Sequence, residues 1–208
     1  GRLALYANTT GAYNTAVGSS AMQVSTTGAN NVAVGYQAGD AITTACCNTI
    51  VGSSAGTATT TGAGNTALGN GALSANTTGP NNIALGYLSL DANTTGSSNV
   101  AVGVNALGAN TTASNNTAVG NSAGVAITTG GTNTAVGVNA LAANTTASNN
   151  TAVGAYAGDA ITTGTNNTYL GTSAGGGITT GAQSVAIGTN ALLVATDPVN
   201  STCVGHDA

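Results

Sequence analysis

The chain has no Lys, no Glu, no Phe and no Trp, and Arg2 is its one strong base. Charged residues are 3% of the 208, where an average soluble domain carries roughly a quarter. Ion pairs therefore contribute little to holding it together. A nucleic-acid binder needs Lys and Arg to neutralise phosphates, and that function is excluded. The acidic pI near 4.1 comes from five Asp and the shortage of bases; it implies no steering field. No apolar run approaches the ~20 residues of a membrane-spanning helix. His206 is the single histidine, so the many serines have no His–acid pair to activate them. No catalytic activity and no cofactor are expected.

What the chain does have is a period. Asn116-Thr-Ala-Val-Gly120 is followed, 133 − 116 = 17 residues on, by Asn133-Thr-Ala-Val-Gly137. Stepping by 17 in both directions meets Gly at every position from Gly1 through Gly52, Gly103 and Gly154 to Gly205. A fixed period near 20 residues marks a solenoid, in which each repeat is one coil stacked on the next. The expected fold is all-β: one continuous β-solenoid domain over residues 1–208, with twelve 17-residue turns. It is read as a segment of a longer fibre protein. A helical reading fails because each of 32 Gly would cost ~1 kcal/mol against Ala inside a helix.

Numbering columns from Asn116 as one, column one is Asn from Asn14 through Asn167 and then Ser184 and Ser201. Stacked Asn side chains can hydrogen-bond along a ladder. Column two is Thr, Val or Ile, and column four is always Val, Leu or Ile. β-branched residues at period two, ended by Gly, predict a short strand and a tight turn. Column five is always Gly, which predicts a positive φ or a close backbone approach. Columns nine and twelve trade: Leu73/Asn76, Leu90/Asn93, Leu107/Asn110 and Leu141/Asn144 against Gly39/Ile42, Gly124/Ile127, Gly158/Ile161 and Gly175/Ile178, with Gly56/Thr59 as the exception. One aliphatic-sized space per turn, filled from either side of a corner, accounts for this.

Side chains two apart share a strand face. With columns two and four taken as the lining of the coil, column three, Ala in nine of twelve turns, becomes a small-residue stripe on the outside. A thin coil without Phe or Trp buries little on its own. The stripe is therefore expected to pack against further copies, giving a homotrimer.

Few residues stand out as sites. Cys203 and His206 are two potential metal ligands where zinc needs three or four, so no metal site is expected. Asp40, Asp91 and Asp159 all occupy column ten, three and four turns apart. That is ~14 and ~19 Å at about 4.8 Å per rung, too far for one ion, although a threefold axis could gather three copies of one Asp. Cys46 and Cys47 are neighbours, and Cys203 lies nine turns away, ~43 Å at the same spacing, beyond disulfide reach within one rod. Column six is the most variable and reads as an outward corner; Tyr36 and Tyr87 there are the candidate ligand-binding residues, able to stack on sugars. Sequons such as Asn76-Thr-Thr78 and Asn115-Asn-Thr117 arise from ladder composition.

Ser184-Val-Ala-Ile-Gly188, followed by Thr-Asn-Ala, resembles the head coils of YadA-like trimeric autotransporter adhesins. Asn65-Thr-Ala-Leu-Gly69, with Ala72-Leu73 and Asn76-Thr-Thr-Gly79, is similar to repeats of phage tail-fibre-type proteins. The likeness runs the length of the chain, although the 17-residue turn is longer than the adhesin coil. It implies a left-handed β-roll, three subunits side by side, and a structural or adhesive part of an extracellular fibre on a cell surface or virion, touching a surface glycan or protein. Two other readings stay open. One is a subunit of a head-to-tail extracellular filament, and the other is an ice-binding solenoid using the Thr-Thr pairs of columns thirteen and fourteen.

Overall fold

The computed structural model describes residues 1–193 and 199–208. Within them lie twelve parallel strands of three residues each, from Thr15–Val17 (β1) to Thr202–Val204 (β12). They form one sheet in sequence order, and each strand pairs with the next at an offset of 17, as in Thr117↔Thr134, Ala118↔Ala135 and Val119↔Val136. The chain is a β-solenoid, and no helix occurs among the described residues.

The rest of each turn is laddered as well. Thr117 N–H donates to Asn133 O (2.8 Å), Gly124 N–H to Ala140 O (2.8 Å) and Thr128 N–H to Thr145 O (2.9 Å), all one rung ahead. Gly120 N–H donates to Val102 O (2.8 Å), Ser122 N–H to Val104 O (2.9 Å) and Thr132 N–H to Ser114 O (3.1 Å), all one rung back. Irregular backbone is thereby satisfied by its own copy above or below, as buried backbone must be.

The expected facing of the strand is reversed. Column three is buried without a break from Ala33 to Ala186, whereas columns two and four lie on the outside, with Val17 56% and Leu68 50% exposed. The cause is column one. Asn116 N–H donates to Asn99 Oδ1 (3.0 Å), and Asn116 Nδ2 donates to Gly130 O (2.9 Å) across the coil. Asn116 Oδ1 in turn accepts from Asn133 N–H (2.8 Å) and Nδ2 (3.1 Å). Such a ladder must point inward to reach column fifteen, and residues one and three of a strand share a face. Column three is therefore inside, and Ala suits it because the opposite wall is close. The alanine stripe is no outer packing surface, and a homotrimer cannot be built through it.

The shared interior space is present, with a third way of filling it. A Cβ built on Gly124 would meet Ile127 Cδ1 at 2.9 Å and Leu107 Cδ2 at 3.0 Å, so Ile127 occupies the place of a column-nine side chain. Column three supplies the other filling. Ile50 is flanked by Gly39 and Gly56, whose Cβ atoms would lie 3.2 and 2.7 Å from its Cδ1. Ile50 lies nearer Gly56, whose column-twelve partner is Thr59, than Gly39, whose partner is Ile42. Tyr169 repeats the arrangement on a larger scale, with Cβ atoms on Gly158 and Gly175 falling 2.6 and 2.5 Å from its ring carbons.

Column five fulfils both expectations at once. Gly120 has φ +135°, and a Cβ there would sit 2.6 Å from Gly137 O of the next rung. Three further columns adopt left-handed backbone without needing Gly: column seven (Ser122, φ 53°), column nine (Leu107, φ 51°) and column seventeen (Thr132, φ 60°). Such conformations cost of order 1–3 kcal/mol each, and the ladder bonds on both sides hold them.

Candidate functional surfaces

The outer face of the sheet carries a branched aliphatic residue at every rung, from Val17 through Leu85 and Val136 to Val204 in column four. Column two adds Val32 and Ile83, each a little over a third exposed. The strands are parallel and in register, so these side chains form straight files spaced about 4.8 Å apart. No charged residue interrupts either file. In column four Val17, Leu68, Val119, Val153, Ile187 and Val204 are exposed and the other six are half-buried; large exposed apolar patches on a monomer are uncommon.

On the opposite flank, the two Thr columns divide. Column thirteen is engaged, with Thr94 Oγ1 donating to Thr111 O (3.0 Å) and Thr128 Oγ1 to Thr145 O (3.0 Å) one rung on. Column fourteen, including Thr78 and Thr95, is exposed. Of the pair, one hydroxyl file faces solvent.

The sequons divide too. Asn76, Asn93, Asn110 and Asn144 in column twelve are completely buried. Asn76 Nδ2 donates to Gly79 O (3.0 Å), the carbonyl that Asn65 Nδ2 also reaches (3.0 Å). Column seventeen, with Asn115, Asn149, Asn166 and Asn200, is exposed.

Tyr36 and Tyr87 stand on the outer corner, 55% and 54% exposed. Tyr156, one column later, is exposed as well and was not singled out in the sequence, because it does not share their column. The carboxyls of Asp40, Asp91 and Asp159 are each raised above their usual value, first by partial burial, with backbone hydrogen bonds pulling back. Tyr169 is a core residue. Burial lifts its phenol well above the ordinary range, and its hydroxyl has no hydrogen-bond partner.

Cys46, Cys47 and Cys203 are free thiols. A hydrogen bond with the Cys46 side chain, followed by burial, raises the Cys47 thiol, which disfavours the reactive thiolate. His206 Nδ1 lies 2.8 Å from Asp207 Oδ2, both well exposed, and no group of three metal-ligating side chains occurs among the described residues. No protein-family model, curated protein or solved structure matches the chain.

Proposed function

We propose that this chain is a rigid, non-catalytic segment of an extracellular fibre, and that copies pack side by side through the outer face of the sheet. The observation that carries the reading is the column-four file, a branched aliphatic at all twelve rungs on the outside of an unbroken stack. A partner matching this file along its length must repeat at the same rise. Another copy of the chain does so at every rung, whereas a globular partner would match a few. Burying the file would supply the apolar area that a thin, Ala-lined interior cannot. Threefold packing is the arrangement that the resemblance to adhesin heads and tail fibres implies.

A shaft is also what the interior is suited to. From Asn14 to Thr179 successive turns are tied by backbone, Asn and Thr ladders, so bending would break several bonds together. Having few charges, such a rod should keep its stability across roughly pH 5 to 9 and over a wide salt range, which suits an extracellular position.

Sedimentation equilibrium tests the reading. The intact chain is expected at three times its 19.4 kDa mass, and Val119→Glu combined with Val136→Glu should shift it to monomer while the β-type circular dichroism persists. A folded wild-type monomer at micromolar concentration would overturn it.

A further inference from the structure

Tyrosine in columns six and seven occurs in three turns, as Tyr36, Tyr87 and Tyr156, and aspartate in column ten occurs in three turns, as Asp40, Asp91 and Asp159. They are the same three turns. Simple duplication of one turn does not account for this, since the tyrosine moves from column six to column seven at Tyr156 while the aspartate stays in place. The residues between them also change, from Gln37-Ala-Gly39 to Leu88-Ser-Leu90.

Both partners lie in one corner of the turn, the tyrosine exposed and the aspartate half-buried, with its carboxylate accepting from its own N–H and that of the next residue. Columns eight and nine between them turn inward and are buried, as with Ala38 and Gly39, and the backbone emerges again at column ten. Each aspartate has the same backbone seat: Asp40 O accepts from Val24 N–H (3.1 Å), Asp91 O from Ala75 N–H (3.0 Å) and Asp159 O from Ala143 N–H (3.0 Å). Each tyrosine ring is about half exposed, at 55%, 54% and 46%. The two remaining exposed tyrosines, Tyr6 and Tyr13, stand in turns without an aspartate.

We propose that these three corners are repeated binding sites for a neutral, hydroxyl-rich glycan chain. The ring offers an apolar face to the C–H face of a sugar, as aromatic side chains do for other flat, half-polar groups. The carboxylate is an acceptor-only group able to take two hydroxyl protons in charge-assisted hydrogen bonds. An anionic glycan would be repelled by the Asp, and with one Arg in the chain nothing would compensate. The corners lie three and four rungs apart, ~14 and ~19 Å at about 4.8 Å per rung. One long glycan, or several on one surface, could therefore engage them together, and three weak sites would add as avidity. The inference rests on the fibre reading, since it gives that fibre its contact.

The test uses the intact chain and immobilised amylose, laminarin and galactomannan as neutral probes, with choline-coated beads as the competing chemistry. Wild type should bind at least one polysaccharide. Changing Tyr36, Tyr87 and Tyr156 together to Ala should weaken that binding by about tenfold or more, as loss of stacking and of avidity would. Changing Asp40, Asp91 and Asp159 together to Asn should do the same. Tyr13→Ala, equally aromatic and more exposed, should leave it unchanged. Binding to none of the polysaccharides, retention on choline alone, or equal loss with Tyr13→Ala would overturn the proposal. Sedimentation on the same samples separates the two ideas: an intact oligomer that binds no polysaccharide refutes these sites and leaves the shaft standing, while a folded monomer refutes the shaft.

Discussion

Two stretches of the rod solve one packing problem differently. From Leu73 to Asn110 the interior holds a column-nine Leu and a column-twelve Asn at each turn, all fully buried. From Gly158 to Ile178 column nine is Gly, column twelve is Ile, and Tyr169 reaches in from the strand. The first stretch adds a second Asn file, in which Asn93 Nδ2 donates to Asn76 Oδ1 (3.0 Å) and Gly96 O (3.0 Å). In the second, the column-fifteen carbonyl keeps its column-one donor, as Asn150 Nδ2 to Gly164 O (2.8 Å), and takes none from column twelve, where Ile161 stands. The comparison teaches that polarity at column twelve is adjustable as long as the corner carbonyl retains one donor, and that with Gly in column nine the coil accepts either Ala152 or Tyr169 from the strand.

The largest expected effect separates the two stretches by cavity size. Tyr169→Ala empties a ring-sized space between two glycines and should cost about 3–5 kcal/mol, whereas Leu90→Ala should cost about 2–5 kcal/mol; denaturant melts of both variants measure the difference. Asn93→Ala should cost less, about 1–3 kcal/mol, by leaving Gly96 O without one of its side-chain donors. Tyr169→Phe removes a hydroxyl that has no partner, so it should be neutral or stabilising by up to about 1 kcal/mol. A clear loss on that change would mean that the hydroxyl is hydrogen-bonded.

The same tyrosine gives a pH prediction. Burial raises its folded-state pKa well above the usual tyrosine value of about 10. Above about pH 10 the unfolded chain releases this proton while the folded chain keeps it. The native state then binds more protons than the unfolded state, and stability falls as pH rises. Melting temperature should drop in alkali for wild type and drop less for Tyr169→Phe. The three raised column-ten carboxyls work in the opposite sense to acid denaturation. Their contribution becomes more favourable as pH falls through their folded pKa, so Asp91→Asn should be neutral or slightly stabilising at pH 7. Smallest of all should be Ser122→Ala, at an outer position whose side chain bonds only its neighbour Asn121 Oδ1 (3.1 Å).

The period, the strand position, the Gly corner and the trade between columns nine and twelve were legible in the residues, because each leaves a mark at fixed spacing. The facing of the strand was misread. Val, Leu and Ile in column four look like core, and Ala118 between them looks like surface, when amino-acid type alone is weighed. The information that reverses this is in Asn116, whose amide must reach Gly130 O across the coil, and that contact joins residues no local pattern connects. Left-handed backbone in column nine was hidden, since Leu107 does not advertise a positive φ, whereas Asn in column seventeen (Asn30, Asn81, Asn115, Asn149, Asn166 and Asn200) and in column seven (Asn105, Asn139 and Asn190) carried that signal. Of the candidate site, Tyr36 and Tyr87 were found as outward residues. Tyr156 escaped because it sits one column later, and its pairing with Asp159 becomes meaningful once both are known to lie in the same corner, the ring exposed and the carboxylate half-buried.

The measurement that bears most directly on one enclosed volume per turn is a double-mutant cycle at Tyr169 and Gly175. Gly175→Leu alone should be destabilising, because its Cβ would fall 2.5 Å from Tyr169 Cδ1, and Tyr169→Ala alone should be destabilising through the cavity. Together they place a column-nine Leu beside a column-three Ala, as in the Leu73–Leu107 stretch, with Ile178 still in column twelve where that stretch has Asn. The double variant should therefore be more stable than the sum of the two single losses predicts, by about 2 kcal/mol or more, within the range seen for residues in contact. Strict additivity would contradict the account, since the two columns would then not share one space.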